Sequence, residues 1–244
     1  MDPLLIEYRF EAEDGTTADF TVEMDPSTLQ ILNSEVDLPD VDLPDWTRLE
    51  FNQCPHCPLN PADHPHCPAA AQLPRLIQTF NHLVSHAKVQ VEVTTKERTF
   101  INEVSVQKGI GALMGLLMAV SGCPMTVFFR PMARFHLPFS TQDETIYRAA
   151  SSYLLADYFK TRLTGGDPDA LLVGLKEIYH RVHVMNAAMA DRIRAAARTD
   201  SSVNALVHLD MFALMLPMQI QRELSGLLDY FQPYLDSVRE LPEG

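Results

Sequence analysis

The sequence predicts a mixed α+β fold: N-terminal β-hairpins around a cysteine-rich metal site, followed by a C-terminal helical bundle. Three observations carry that prediction. Strict apolar–polar alternation marks short segments of the first half. Helical spacing with start and stop signals takes over from Thr141. Cys54, Cys57 and Cys67 fall together in the stretch that separates the first strands from the first helix.

The elements follow in order. Ile6-Glu7-Tyr8-Arg9-Phe10 and Phe20-Thr21-Val22-Glu23-Met24 alternate about the turn residues Glu13-Asp14-Gly15-Thr16, giving a hairpin with one wet face. The repeat Val36–Asp40, Val41–Asp45 has prolines that remove ladder donors and acids that repel one another, so it reads as a solvated linker. Trp46–Phe51 reads as a third strand and Ala69–His86 as a helix. Val89–Val93 and Arg98–Val104 form a second hairpin, and Val106–Val120, apolar on nearly every side, is a buried helix. Gly111 and Gly115, one turn apart on that helix, would let another backbone approach. Phe129–Leu137 alternates again and is expected to be extended. Thr141 with Glu144 matches a capping box and opens a helix to about Leu163. Gly165-Gly166 ends it, Asp167-Pro168 starts the next, and Asp200 or Ser201 caps a helix from Val203 to Leu216. Pro217 should break the chain before a last helix, Ile220–Val238. Residues 1–138 and 139–244 are expected to be two regions packed as one unit.

Composition narrows the function. The chain has 244 residues and a formal charge of −13, concentrated in residues 1–50, where 14 acidic residues face only Arg9 and Arg48. The remainder is nearly balanced and shows no basic face for phosphate contacts, so neither nucleic acid nor an anionic membrane is an expected partner. Met1-Asp2-Pro3 leads straight into an alternating segment, unlike a secretory signal, and the apolar run Ile110–Val120 is too short to span a bilayer. The expected location is cytoplasmic.

Cys54-Pro-His-Cys57 puts two thiols on one tight turn, suited to two vertices of a tetrahedral ion, and Cys67 lies close enough to loop back. Cys123 is distant in sequence, yet all four cysteines precede proline. Proline is only 17 of 244 residues, so the four cysteines are expected to share one environment. Competing fourth ligands are His56, His64, His66 and His136. Four thiolates would close the shell of a structural zinc ion; an iron–sulfur cluster uses the same donors.

Other constellations carry less. Arg130, Arg134 and His136 would share one face of an extended segment, with Arg148 nearby, and could recognise an anion. Glu177-x-x-His180 with Glu144 has the di-iron bundle pattern, but at about 100° per residue His180 falls opposite the apolar stripe Leu175, Ile178, Val182, Met185, Met189. Asp210, on a mostly apolar helix, needs a partner, with Arg192, Arg194 or Arg198 expected and Asn186 and Asn204 extending the network. No phosphate loop or nucleophile elbow is present.

The segments Gln53-Cys-Pro-His-Cys-Pro-Leu59, Ser121-Gly-Cys-Pro124, Arg130-Pro-Met-Ala-Arg-Phe-His-Leu-Pro-Phe139 and Glu144-Thr-Ile-Tyr-Arg148 resemble those of an uncharacterised bacterial domain family across nearly the whole chain. The resemblance implies a bacterial cytosolic origin and brings no established activity. The sequence therefore predicts a non-enzymatic, zinc-stabilised binding or regulatory protein that meets a protein partner. Its alternatives are an enzyme or small-anion sensor using the arginine–histidine face, and an iron–sulfur electron carrier.

Overall fold

The computed structural model describes residues 2–34 and 42–239. The first copy of the acidic repeat thus lies outside the described residues. Four strands form one antiparallel sheet in the order β2-β1-β3-β4: β1 Leu4–Ala12, β2 Thr17–Met24, β3 Lys88–Thr95 and β4 Thr99–Ser105. Tyr8 sits opposite Phe20 on one side and Val93 on the other. The period of two sends Ile6, Tyr8, Phe10, Val22, Val91 and Val93 to one face, where all are buried. Both hairpins stand where the alternation placed them.

Helix α1 (Pro74–Phe80) closes one end of this face, Phe80 packing on Phe10 with ring centroids 4.9 Å apart. Helix α2 (Val106–Val120) lies across the sheet. Its close approach depends on Gly109, where an added Cβ would come within 3.2 Å of the Phe10 and Val91 side chains. Gly111 and Gly115 face α6 instead, at ordinary contact distances from Ala205 and Leu209. Helices α4 (Gln142–Thr164), α5 (Val173–Ala196) and α6 (Ser201–Arg239) complete the fold, with α6 packed on α2, α4 and α5. One buried cluster runs from the sheet through α2 to α5 and α6. Among the described residues, no helix is long and apolar enough to cross a membrane.

Helix starts obey local chemistry. Thr141 and Glu144 make the reciprocal capping box, Thr141 N–H donating to Glu144 Oε2 at 2.7 Å. Helix α5 begins later than Asp167-Pro168. The Asp157 carboxylate accepts from Asp169 N–H at 2.7 Å, and Asp169 Oδ2 accepts from both the Tyr153 hydroxyl (2.7 Å) and Gly174 N–H (2.8 Å). That junction carries the chain to Val173.

Four expectations need correction. Trp46–Phe51 is not a strand: Asp45–Thr47 forms a 3-10 turn, closed by the Thr47 hydroxyl donating to Pro44 O at 2.7 Å. The helix expected over Ala69–His86 is a 3-10 turn at Ala70–Gln72 and the short α1. Phe129–Leu137 is not extended. A 3-10 turn at Val127–Phe129 runs into helix α3 (Arg130–Arg134), where Pro131 occupies the first turn and its missing N–H costs nothing. The backbone also passes through Pro217 as helix. An interior proline costs roughly 3 kcal/mol or more, and the packing of α6 on α2 and α5 outweighs it.

Candidate metal centre

All four cysteines lie outside helix and strand, and each is placed by its own local device. Cys57 N–H donates to Cys54 O at 3.0 Å, which closes the turn between those two. Cys67 N–H donates to Thr47 O at 2.8 Å, and Arg48 bridges His66, so the loop from Asp45 to Cys67 is stitched at its base. Cys123 follows Gly122, whose φ of +89° ends α2 in a conformation that strains an L side chain. Ser121 Oγ donates to Met118 O and accepts from Cys123 N–H at 3.2 Å, fixing the exit.

These devices deliver Cys54, Cys57, Cys67 and Cys123 to one cavity of about 20 Å³. The thiols are reduced, and Cys123 is buried. Burial first, then the neighbouring Cys57, Cys123 and Cys67, push the Cys54 thiol up to about 12. Burial raises Cys123 to about 11. Among the described residues, no three His, Cys, Asp or Glu side chains stand in the arrangement of a metal-binding group. The histidines lie elsewhere. His56 and His64 are exposed, His66 Nδ1 pairs with the Thr47 hydroxyl at 2.8 Å, and His136 Nε2 with the Tyr8 hydroxyl at 2.5 Å.

Arg192 of α5 lies against the same cavity and is 2% exposed. Its guanidinium donates to Trp46 O at 2.9 Å, Arg48 O at 2.6 Å and Leu49 O at 2.8 Å. The segment Trp46–Leu49 is thus held on one side by Arg192 and on the other by the single bridge from Arg48 to His66. Burial lowers the Arg192 pKa, and the adjacent Cys67, Cys54 and Cys57 oppose that shift. Arg192 was expected to serve Asp210. Its position three residues after Met189, on the apolar stripe of α5, was the available signal that it points inward. Asp210 pairs instead with His183 Nδ1 at 2.9 Å, while Arg194 pairs with Asp191 and Arg198 N–H with Asn81. Asn204 serves Asp200.

The arginine–histidine face does not form as a unit. Arg134 pairs with Glu97 at 3.1 Å, and Arg130 donates to Thr28 O at 3.4 Å. His136 and Arg148 part company with them and line a second, larger cavity of about 530 Å³. Met185 of α5 lines both cavities. Phe139, on the wall of the larger one, has φ of +61°, unusual for a bulky residue. Burial and then the Arg148 charge hold the His136 pKa down to about 3, so its ring is neutral at ordinary pH. Glu177 is paired with Arg181 at 2.9 Å on an exposed face, and His180 is exposed beside it.

A single antiparallel sheet backed by a helical layer, with four thiols and a buried arginine at their junction, defines a mixed α+β domain. The chain belongs to the family described as "Domain of unknown function (DUF6901)", whose model matches residues 6–232. Comparison with the curated proteins and with the solved structures finds no match to the chain.

Proposed function

We propose that the chain is a non-enzymatic binding protein stabilised by one zinc ion on Cys54, Cys57, Cys67 and Cys123. The observation that carries this reading is the convergence of four cysteines, from three separate stretches of sequence, on one cavity of about 20 Å³. That volume is on the order of a single water molecule's, which suits one ion and not an iron–sulfur cluster. Charge supports the same reading. The hydrogen-bond partners of the buried Arg192 are carbonyls, not a carboxylate, and four thiolates around a divalent ion supply the net negative charge such a cation needs. A full thiolate shell has no open position for water, so the ion's role is structural. It would tie the loop from Asp45 to Cys67 to the end of α2 and, through Arg192, to α5.

The outer surface supports a protein as the partner. Leu155, Tyr158 and Phe159 of α4 and Tyr230, Phe231 and Tyr234 of α6 are exposed large apolar side chains, and Tyr147 stacks on Phe231 at 6.4 Å between the two helices. Contiguous exposed apolar surface of this kind marks an interaction site.

The test is metal analysis with thermal unfolding of the wild type, Cys57→Ser and Cys123→Ser. The wild type should carry one zinc per chain, and both variants should lose it together with several kcal/mol of stability, since metal binding is folding energy. Stoichiometric iron with a visible charge-transfer band, or a Cys123→Ser protein that keeps its zinc and its melting temperature, would sink the proposal.

A further inference from the structure

The larger cavity is built from α2, the start of α4, α5, α6 and the segment around α3, and it uses none of the four cysteines. Its volume of about 530 Å³ falls within the range of small-molecule sites, roughly 300–1,000 Å³. Most of its wall is apolar, with Leu116, Met118, Leu137, Val182 and Met185 among the lining side chains. Methionines adapt to a flexible chain.

The polar part of the wall has one sign. Lys108 and Arg148 line the cavity, and among its described lining residues there is no aspartate or glutamate. Arg148 is positioned by Nη2, which donates to Met132 O at 2.9 Å and Phe135 O at 3.2 Å. Its Nε and Nη1 make no hydrogen bond among the described residues. Glu144, one turn earlier, is engaged in the capping box. Tyr179, 5% exposed, lies close enough to favour the Arg148 charge, and its hydroxyl has no hydrogen-bond partner among the described residues. His136 completes the group. With the Tyr8 hydroxyl as donor to Nε2, 2.5 Å away, the imidazole proton sits on Nδ1. A guanidinium edge, a phenol and an imidazole N–H therefore border one apolar space. These groups open onto the cavity, and a carboxylate has the lone pairs to accept from all three.

We infer that this cavity binds a single-chain carboxylic acid, its carboxylate on Arg148, Tyr179 and His136 and its hydrocarbon chain along α2 and α5. The site stands whether or not the cysteines hold zinc. It names a ligand where the proposed function names a protein partner.

Calorimetric titration of the full chain with decanoate, 1-decanol and decyltrimethylammonium tests it. Decanoate should bind saturably at one site, at least tenfold more tightly than the alcohol, and the cation should not bind. Arg148→Met should remove that tenfold preference and leave decanol binding as it was. Ala112→Leu, which narrows the cavity without touching the polar group, should weaken acid and alcohol together. Equal affinity for the three amphiphiles, or no saturable binding, overturns the inference. Decanoate binding unchanged in Ala112→Leu overturns the placement, because the acid would then sit on the exposed apolar surface of α4 and α6. If Arg148→Met does not fold, the ligand series on the wild-type protein decides.

Discussion

His136 gives the structure a pH dependence with a calculable size. Its ring lies beside Arg148 and bonds the Tyr8 hydroxyl, and its pKa is held down to about 3 in the folded chain. In the unfolded chain a histidine titrates near 6.5. The folded value is the lower of the two, so the unfolded state takes up the proton first as the solution is acidified. Stability is complete above pH ~6.5 and falls from there down to about 3. Between about pH 7 and about pH 5 that single proton costs about 2 kcal/mol, the difference in proton-binding free energy of an unperturbed imidazole. Urea unfolding at the two pH values measures the loss. The comparison is with His136→Gln, which keeps an acceptor for Tyr8. The wild type should lose about 2 kcal/mol more than the variant over that interval. Equal losses would mean that the imidazole is protonated in the folded chain, and the neutral donor assigned to His136 would go with it.

Three further outcomes are expected. Arg192→Met strips the donors from three main-chain carbonyls, and since each unsatisfied buried group costs about 1–3 kcal/mol, the variant should unfold at clearly lower urea and hold zinc less well; an unchanged midpoint would remove Arg192 from the clamp. Gly174→Ala should destabilise by roughly 1–3 kcal/mol, because the new Cβ would lie 2.2 Å from the Tyr153 hydroxyl that bonds Asp169; wild-type urea stability would show that the α5 junction relaxes freely. Light scattering should find the protein larger than its 27.4 kDa chain at high concentration, and Phe159→Asp with Phe231→Asp should return it to that mass. A monomer at every concentration would show that the exposed apolar face of α4 and α6 serves a different chain.

The parts of the fold that were legible in sequence are those whose signal is periodic and local. Alternation in Ile6–Phe10 and Val89–Val93 registers a sheet with one buried face, and the apolarity of Val106–Val120 registers a largely buried helix. Short or shared elements were misread. Helix α3 has five residues, fewer than the two turns needed to separate a 3.6 period from a period of two, and Pro131 suits the first turn of a helix as well as an extended chain. Trp46–Phe51 has the composition of a strand, but beyond one bridge to His66 three of its carbonyls are taken by Arg192, well over a hundred residues away. Pro217 shows the limit from the other side, since local preference there yields to the packing of a long helix.

The two cavities differ in the same respect. Cysteine is scarce in this chain, and the proline after each one is a local mark, so the four could be grouped before any contact was known. The polar group of the larger cavity carries no such mark. Arg148 was visible only as a member of an arginine cluster whose other members turn to Glu97 and Thr28. Tyr8 and Tyr179, 1% and 5% exposed, are buried as any core aromatic is. Tyr179 from α5 and His136 from the segment after α3 border one space, and Tyr8 of β1 acts on it only through His136; that meeting depends on the tertiary packing of α2 between the sheet and α6. Met185 lines both cavities from a single turn of α5. Through that one flexible side chain the packing around the thiols and the shape of the larger cavity are joined.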